Sequence, residues 1–74
     1  MVIEVRLHEM LKKYAPNSNS GILTADVAED MTVGELLQEL ELDEQEIQRM
    51  KVNHEACTAR FILQDGDQLD LYPD

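Results

Sequence analysis

Cysteine is almost absent. Cys57 is the single one in 74 residues, so no internal disulfide staples the chain and no four-thiolate iron–sulfur cluster can form. Glycine is sparse as well. Gly21, Gly34 and Gly66 stand far apart, which excludes a glycine-rich phosphate loop. No run is long or apolar enough to span a bilayer, and the N-terminus lacks the basic-then-apolar order of a signal segment. There are no internal repeats, low-complexity tracts or internal linkers. His8 and His54 lack metal-ligand spacing, and no catalytic, cofactor-binding or metal-binding constellation emerges. The expectation is a cytoplasmic protein, not an enzyme, with one domain over residues 1–74. The hydrophobic content of 43% suits a folded chain, although one this short buries only about 60% of its unfolded surface.

Positive charge is scarce too. The net charge is -10, and residues 22–50 carry nine acidic side chains against one basic. Phosphate backbones and anionic membranes are therefore poor partners, so neither nucleic acid nor membrane binding is expected. The acidic surplus either maintains solubility or meets a protein partner with a basic surface.

What is present is alternation. In Val2–Leu7, Ile3, Val5 and Leu7 form an inward set and Val2, Glu4 and Arg6 an outward one, predicting a first strand. Leu7, Met10, Leu11 and Tyr14 then recur at helical spacing, predicting a turn or two of helix. Ala15 to Gly21 reads as a loop. Ile22 to Ala28 alternates again, with Leu23, Ala25 and Val27 on one face, and should pair antiparallel with the first strand.

Thr32 and Glu35 have capping-box spacing, and Val33, Leu36, Leu37 and Leu40 make an apolar stripe, so a main helix is expected within Glu29–Leu42. Asp43 and Glu46 suggest a second capping box opening a short helix, with Ile47 and Met50 buried. Lys51-Val52-Asn53 reads as a short strand. Asn53 tolerates left-handed backbone and so turns it. A brief strand is expected within Ala56–Arg60, then Phe61 and Leu63 packing inward. Gln64-Asp65-Gly66-Asp67 is a tight turn, with the aspartates as turn formers rather than acid and base. Gln68 to Tyr72 is the last strand, with Leu69 and Leu71 on one face and Gln68, Asp70 and Tyr72 on the other. Pro73 has no amide proton and ends it. Cys57 reads as a small core hydrophobe, since nothing near it in sequence would activate a thiol.

Periodicity alone gives a small α+β protein. The residues themselves go further. Val52-Asn53, Leu63-Gln64-Asp65-Gly66-Asp67 and the strand closing in Tyr72-Pro73 resemble the small sulfur-carrier proteins of the MoaD/ThiS type. Thr32, Val33, Leu36 and Leu37 match that family's Gly-x-Thr-Val-x-Asp-Leu-Leu, with Asp30 where a turn glycine often stands. Leu7 and Leu11 match its Leu-Phe-Ala-x-Leu-Arg-Glu, with His8 in place of the phenylalanine. The resemblance implies a ubiquitin-like β-grasp fold, a mixed four- to five-stranded sheet on one main helix, with the last strand parallel to the first at the sheet centre.

Such carriers are not enzymes. A partner adenylates their C-terminal Gly-Gly, which becomes a thiocarboxylate. Here Tyr72-Pro73 is followed by Asp74, whose charged, branched side chain would sit badly in an anionic adenylation channel. The expected function is therefore protein–protein binding without thiocarboxylation. The alternative is an active carrier for molybdopterin or thiamine synthesis whose Gly-Gly tail lies outside this sequence. A ubiquitin-like regulator unrelated to sulfur is a third class. The resemblance points to an adenylating enzyme, the molybdopterin synthase large subunit or a molybdenum or tungsten enzyme as partner. It places Lys12, Ala56, Tyr72, Pro73 and Asp74 at the contact, with Tyr72 an exposed anchor on the outer sheet face.

Overall fold

The structure is a computed structural model, and it describes residues 1–15 and 20–74. Five strands form one sheet in the order β2-β1-β5-β3-β4: β1 Val2–Leu7, β2 Ile22–Asp26, β3 Arg49–Val52, β4 Glu55–Ala56 and β5 Gln68–Tyr72. The helix α1 spans Val33–Glu39. Strand β5 lies parallel to β1, with Leu69 opposite Val5, and antiparallel to β3, with Asp70 opposite Lys51. Strand β2 runs antiparallel to β1, as the alternation requires. The expected loop at Ala15 to Gly21 falls partly on 16–19, which lie outside the described residues.

Strand alternation sorts side chains to two faces. Ile3, Val5, Leu7, Leu69 and Leu71 point to one of them and are fully buried against Val33, Leu36 and Leu37 of α1. Each fully buried leucine of this kind contributes about 1.5–3 kcal/mol. The expected stripe of α1 is there, with Leu40 only partly covered at its end.

The ends of α1 are closed by local chemistry. At the N-terminus the Glu35 amide donates to Thr32 Oγ1 (3.2 Å) and the Thr32 amide to Glu35 Oε1 (3.2 Å), the capping box anticipated from the sequence. The next orphan amides, Val33 and Gly34, donate to the Phe61 and Ala59 carbonyls (both 2.9 Å), so the irregular segment after β4 serves as a backbone cap. At the C-terminus the Leu42 amide reaches the Leu37 carbonyl and the Glu41 amide the Gln38 carbonyl. This is a Schellman ending, with Glu41 at φ +59° where glycine is usual. Asp30, at the family's turn-glycine position, likewise takes φ +64°.

Four local expectations are corrected. The segment Glu9–Tyr14 is a 3-10 helix, whose three-residue turn swings Met10 outward to 58% exposure while Leu11 stays buried. Asp43 caps the 3-10 turn Glu44–Glu46 by accepting from the Gln45 amide, but Glu46 does not close a box. Its carboxylate is drawn away to Lys13 and Tyr14 instead. Phe61 is 40% exposed, because its carbonyl rather than its ring faces α1, and Leu63 alone fills the core there. The brief strand expected within Ala56–Arg60 comes one residue earlier, at Glu55–Ala56, because Asn53 and His54 both take left-handed backbone and turn the chain sharply.

The turn at residues 64–67 is fastened to both neighbours of β5. Gly66, at φ +86°, donates its amide to the Val2 carbonyl (2.9 Å), and Asp65 Oδ1 accepts from the Val2 amide (2.9 Å). Asp67 accepts from the Gln64 amide (2.8 Å) and from Asn53 Nδ2 (2.9 Å). Both aspartates act as turn formers, and β5 enters the sheet with its register set at once on β1 and β3.

Candidate functional site: the outer face of the sheet

Helix α1 covers one face of the sheet, and the other faces outward. Alternation and register place rows of side chains across it. Ile22, Arg6, Asp70, Lys51 and Ala56 form one row, and Tyr72 beside Arg49 forms the next. His8 follows β1 and completes that second row.

Tyr72 is the centre of this arrangement. Its ring stacks on His8, with centroids 4.3 Å apart and planes 8° from parallel. The Arg49 guanidinium carbon lies 4.9 Å and the Lys51 ammonium 5.8 Å from the ring centroid, within cation–π range. Tyr72 does point away from Leu71, as expected, but it is half-buried under these neighbours rather than a free anchor. Beneath it, His8 Nε2 lies 3.0 Å from Asp70 Oδ1, and Gln68 Nε2 donates to Asp70 Oδ2 (3.1 Å). Asp70 is on the outer face yet almost wholly buried. A carboxylate can sit there because each oxygen has a partner.

The residues named from the sequence separate into two groups. Ala56, Tyr72, Pro73 and Asp74 come together around β3: Ala56 stands across from Lys51, and Arg49 Nε donates to the backbone oxygen of Asp74. Lys12 stands apart, its stem lying against Gly21 at the end of β1, on the side of β2. Arg49, Lys51 and His8 were not anticipated. The signal lies in Arg49-Met50-Lys51-Val52, where alternation puts both cations on one face, but the strand expected from the sequence begins only at Lys51.

Beside β3 and β4 lies a shallow groove of about 240 Å³ lined by Gln48, Arg49, Met50, Lys51, Ala56 and Cys57. Small-molecule sites typically enclose about 300–1,000 Å³, so the groove suits a single side chain better than a cofactor. Cys57 is partly buried against the core, and burial pushes its thiol pKa up, which disfavours the thiolate. Among the described residues no group of three or more His, Cys, Asp or Glu side chains is placed to hold a metal. No helix among them is long and apolar enough to cross a membrane.

Charge is divided between the two sides. Glu35, Glu39, Glu41, Asp43 and Glu44, on and after α1, are exposed on the helix side. Arg6, Arg49 and Lys51 lie on the sheet side, together with Glu4, Asp26 and the buried Asp70. Arg6 is held by Glu4 (2.8 Å) and Arg49 by the Asp74 oxygen, whereas Lys51 makes no salt bridge among the described residues.

Solved structures share this architecture. Small archaeal modifier protein 1 of Haloferax volcanii is similar at 26% identity over 97% of this chain and 95% of its own, with a TM-score of 0.72. A putative molybdopterin converting factor subunit 1 from Pyrococcus furiosus superposes with a TM-score of 0.80 at 17% identity, over 99% of this chain and 97% of its own. A chain of the complex of subunits 1 and 2 of molybdopterin-converting factor from Helicobacter pylori gives 0.67 at 20% identity, over 100% and 95%. No curated protein matches the sequence. The fold is the ubiquitin-like β-grasp of MoaD/ThiS-type proteins, as the resemblance implied. The Mut7-C ubiquitin family model matches residues 1–74, and the chain belongs to that family.

Proposed function

We propose that this ubiquitin-like chain acts by binding a protein partner through the outer face of β5 and β3, with no catalysis of its own and without being thiocarboxylated itself. The observation that carries the reading is the grouping of Tyr72 with Arg49 and Lys51, which line one groove together with Ala56. An aromatic with flanking cations beside an apolar dip has the composition of an interface centre. The complex of subunits 1 and 2 known for the Helicobacter pylori molybdopterin-converting factor supports a protein partner. Tyr72 is already engaged by His8, Arg49 and Lys51, which suits a docking surface. An adenylating enzyme, the large subunit of molybdopterin synthase and a molybdenum or tungsten enzyme are the partners to try.

The test uses Tyr72→Ala against the unmodified protein, each incubated with those partners. The expected result is unchanged circular dichroism with weakened binding. A second arm adds ATP and the adenylating enzyme and reads the intact mass. No change is expected, and a gain equal to sulfur replacing oxygen would establish the carrier reading instead.

A further inference from the structure

The sheet face differs from the rest of the molecule in charge, and the difference bears on what it receives. The protein carries sixteen carboxylates and six Lys or Arg side chains. Lys13 and Arg6 are neutralised by Glu46 and Glu4. Arg49 and Lys51, two residues apart on β3, sit over a ring and beside a groove; Arg49 Nε donates to the Asp74 oxygen, and Lys51 makes no salt bridge among the described residues. The groove's apolar lining comes from Ala56, across from Lys51, and from Met50 and Cys57, which also pack partly against the core.

We propose that the groove beside β3 and β4 receives an acidic protein segment that seats one apolar side chain beside Arg49 and Lys51. This rests on the protein-binding reading above and gives the partner its chemistry. The sequence had suggested a partner with a basic surface, on the strength of the overall charge. The fold puts much of that acidic surplus on the helix side, away from the groove. A basic segment would meet Arg49 and Lys51 at short range, which costs more than attraction from distant carboxylates across salt water returns. An acidic segment meets two cations close by, and its apolar residue fills a space of side-chain size. A nucleic acid would also meet these cations. However, two cations on a molecule of net charge -10 make a weak footprint for a polyanion.

The experiment is an amide NMR titration of the full chain with four probes. They are a ten-residue Glu- and Asp-rich peptide with one central leucine, the same peptide with Gln and Asn for the acids, the same with lysines, and an oligouridylate. The acidic peptide is expected to shift Arg49 to Lys51, Ala56, Cys57 and Tyr72, and added salt should weaken it. Arg49→Gln with Lys51→Gln should reduce its affinity about three- to tenfold, since exposed charge pairs are individually modest. Both side chains lie on the outer face, so amide spectra of the variant away from β3, β4 and residues 72–74 should be unchanged. Equal binding of the neutral peptide at these residues overturns the acidic segment and leaves the protein-binding face standing. Preference for the lysine peptide or the oligouridylate at these residues overturns the inference outright. Shifts confined to α1, or none with any probe, overturn the inference and count against the docking face as well.

Discussion

The imidazole of His8 and the phenol of Tyr72 lie face to face, 4.3 Å apart, although sixty-three positions separate them in the chain. The stack holds the end of β5 over the segment that follows β1. A double-mutant cycle with His8→Ala and Tyr72→Ala should show a coupling of about 0.5–1.5 kcal/mol, the usual worth of an aromatic pair beyond its buried area. Tyr72→Phe keeps the ring and should leave urea stability nearly unchanged.

Asp70 gives a different outcome. Its carboxylate is 4% exposed and satisfies His8 and Gln68 together. Asp70→Ala removes the acceptor for both and should cost about 1–3 kcal/mol in urea denaturation. Asp70→Asn keeps the shape and one acceptor oxygen and should cost less. A neutral result for Asp70→Ala would mean that water replaces the carboxylate freely.

The pairing of Glu46 sets a pH dependence. The hydrogen bond from Lys13, and then that from Tyr14, hold the Glu46 carboxyl below its ordinary pKa. A lowered folded value stabilises the fold above the unfolded glutamate range. That contribution disappears as pH falls through the lower folded value. Glu46→Gln should therefore melt earlier than the parent at neutral pH, and the two melting curves should converge in acid. Thermal denaturation across pH 2 to 7 checks it.

Gly21 and Gly66 both have positive φ but should respond unequally to alanine. At Gly66 an added Cβ meets nothing within 4 Å, so only the backbone preference is lost, about 1–2 kcal/mol. At Gly21 it would lie 2.5 Å from the Leu7 carbonyl oxygen, in the residue whose amide bonds Gly21 in return. Gly21→Ala should be clearly the more damaging of the two by urea midpoint.

Much of this fold could be read from short-range patterns, because the elements involved are stabilised locally. Alternation exposed β1 and β5, and the Thr32–Glu35 box closes within four residues. The turn at Gly66 needs only its own backbone freedom. What escaped reading depends on distant partners. Asp70 alternates outward like any solvent-facing residue, and only His8, arriving from the other end of the chain, makes its burial possible. Glu46 sits at box spacing from Asp43 but finds Lys13 and Tyr14 first. Arg49 and Lys51 acquire their meaning from Tyr72, which no local window contains with them.

The position of β5 also governs how quickly the molecule can assemble. It lies between β1 and β3, so before it arrives the sheet exists only as two separate pairs, β1 with β2 and β3 with β4. Joining them brings Leu69 beside Val5, about sixty residues apart, before their shared core is buried. Folding should therefore be slow for so small a protein and limited by that single insertion. Changes within β5 should lower the folding rate, whereas changes within α1, whose caps close locally, should act mainly on unfolding.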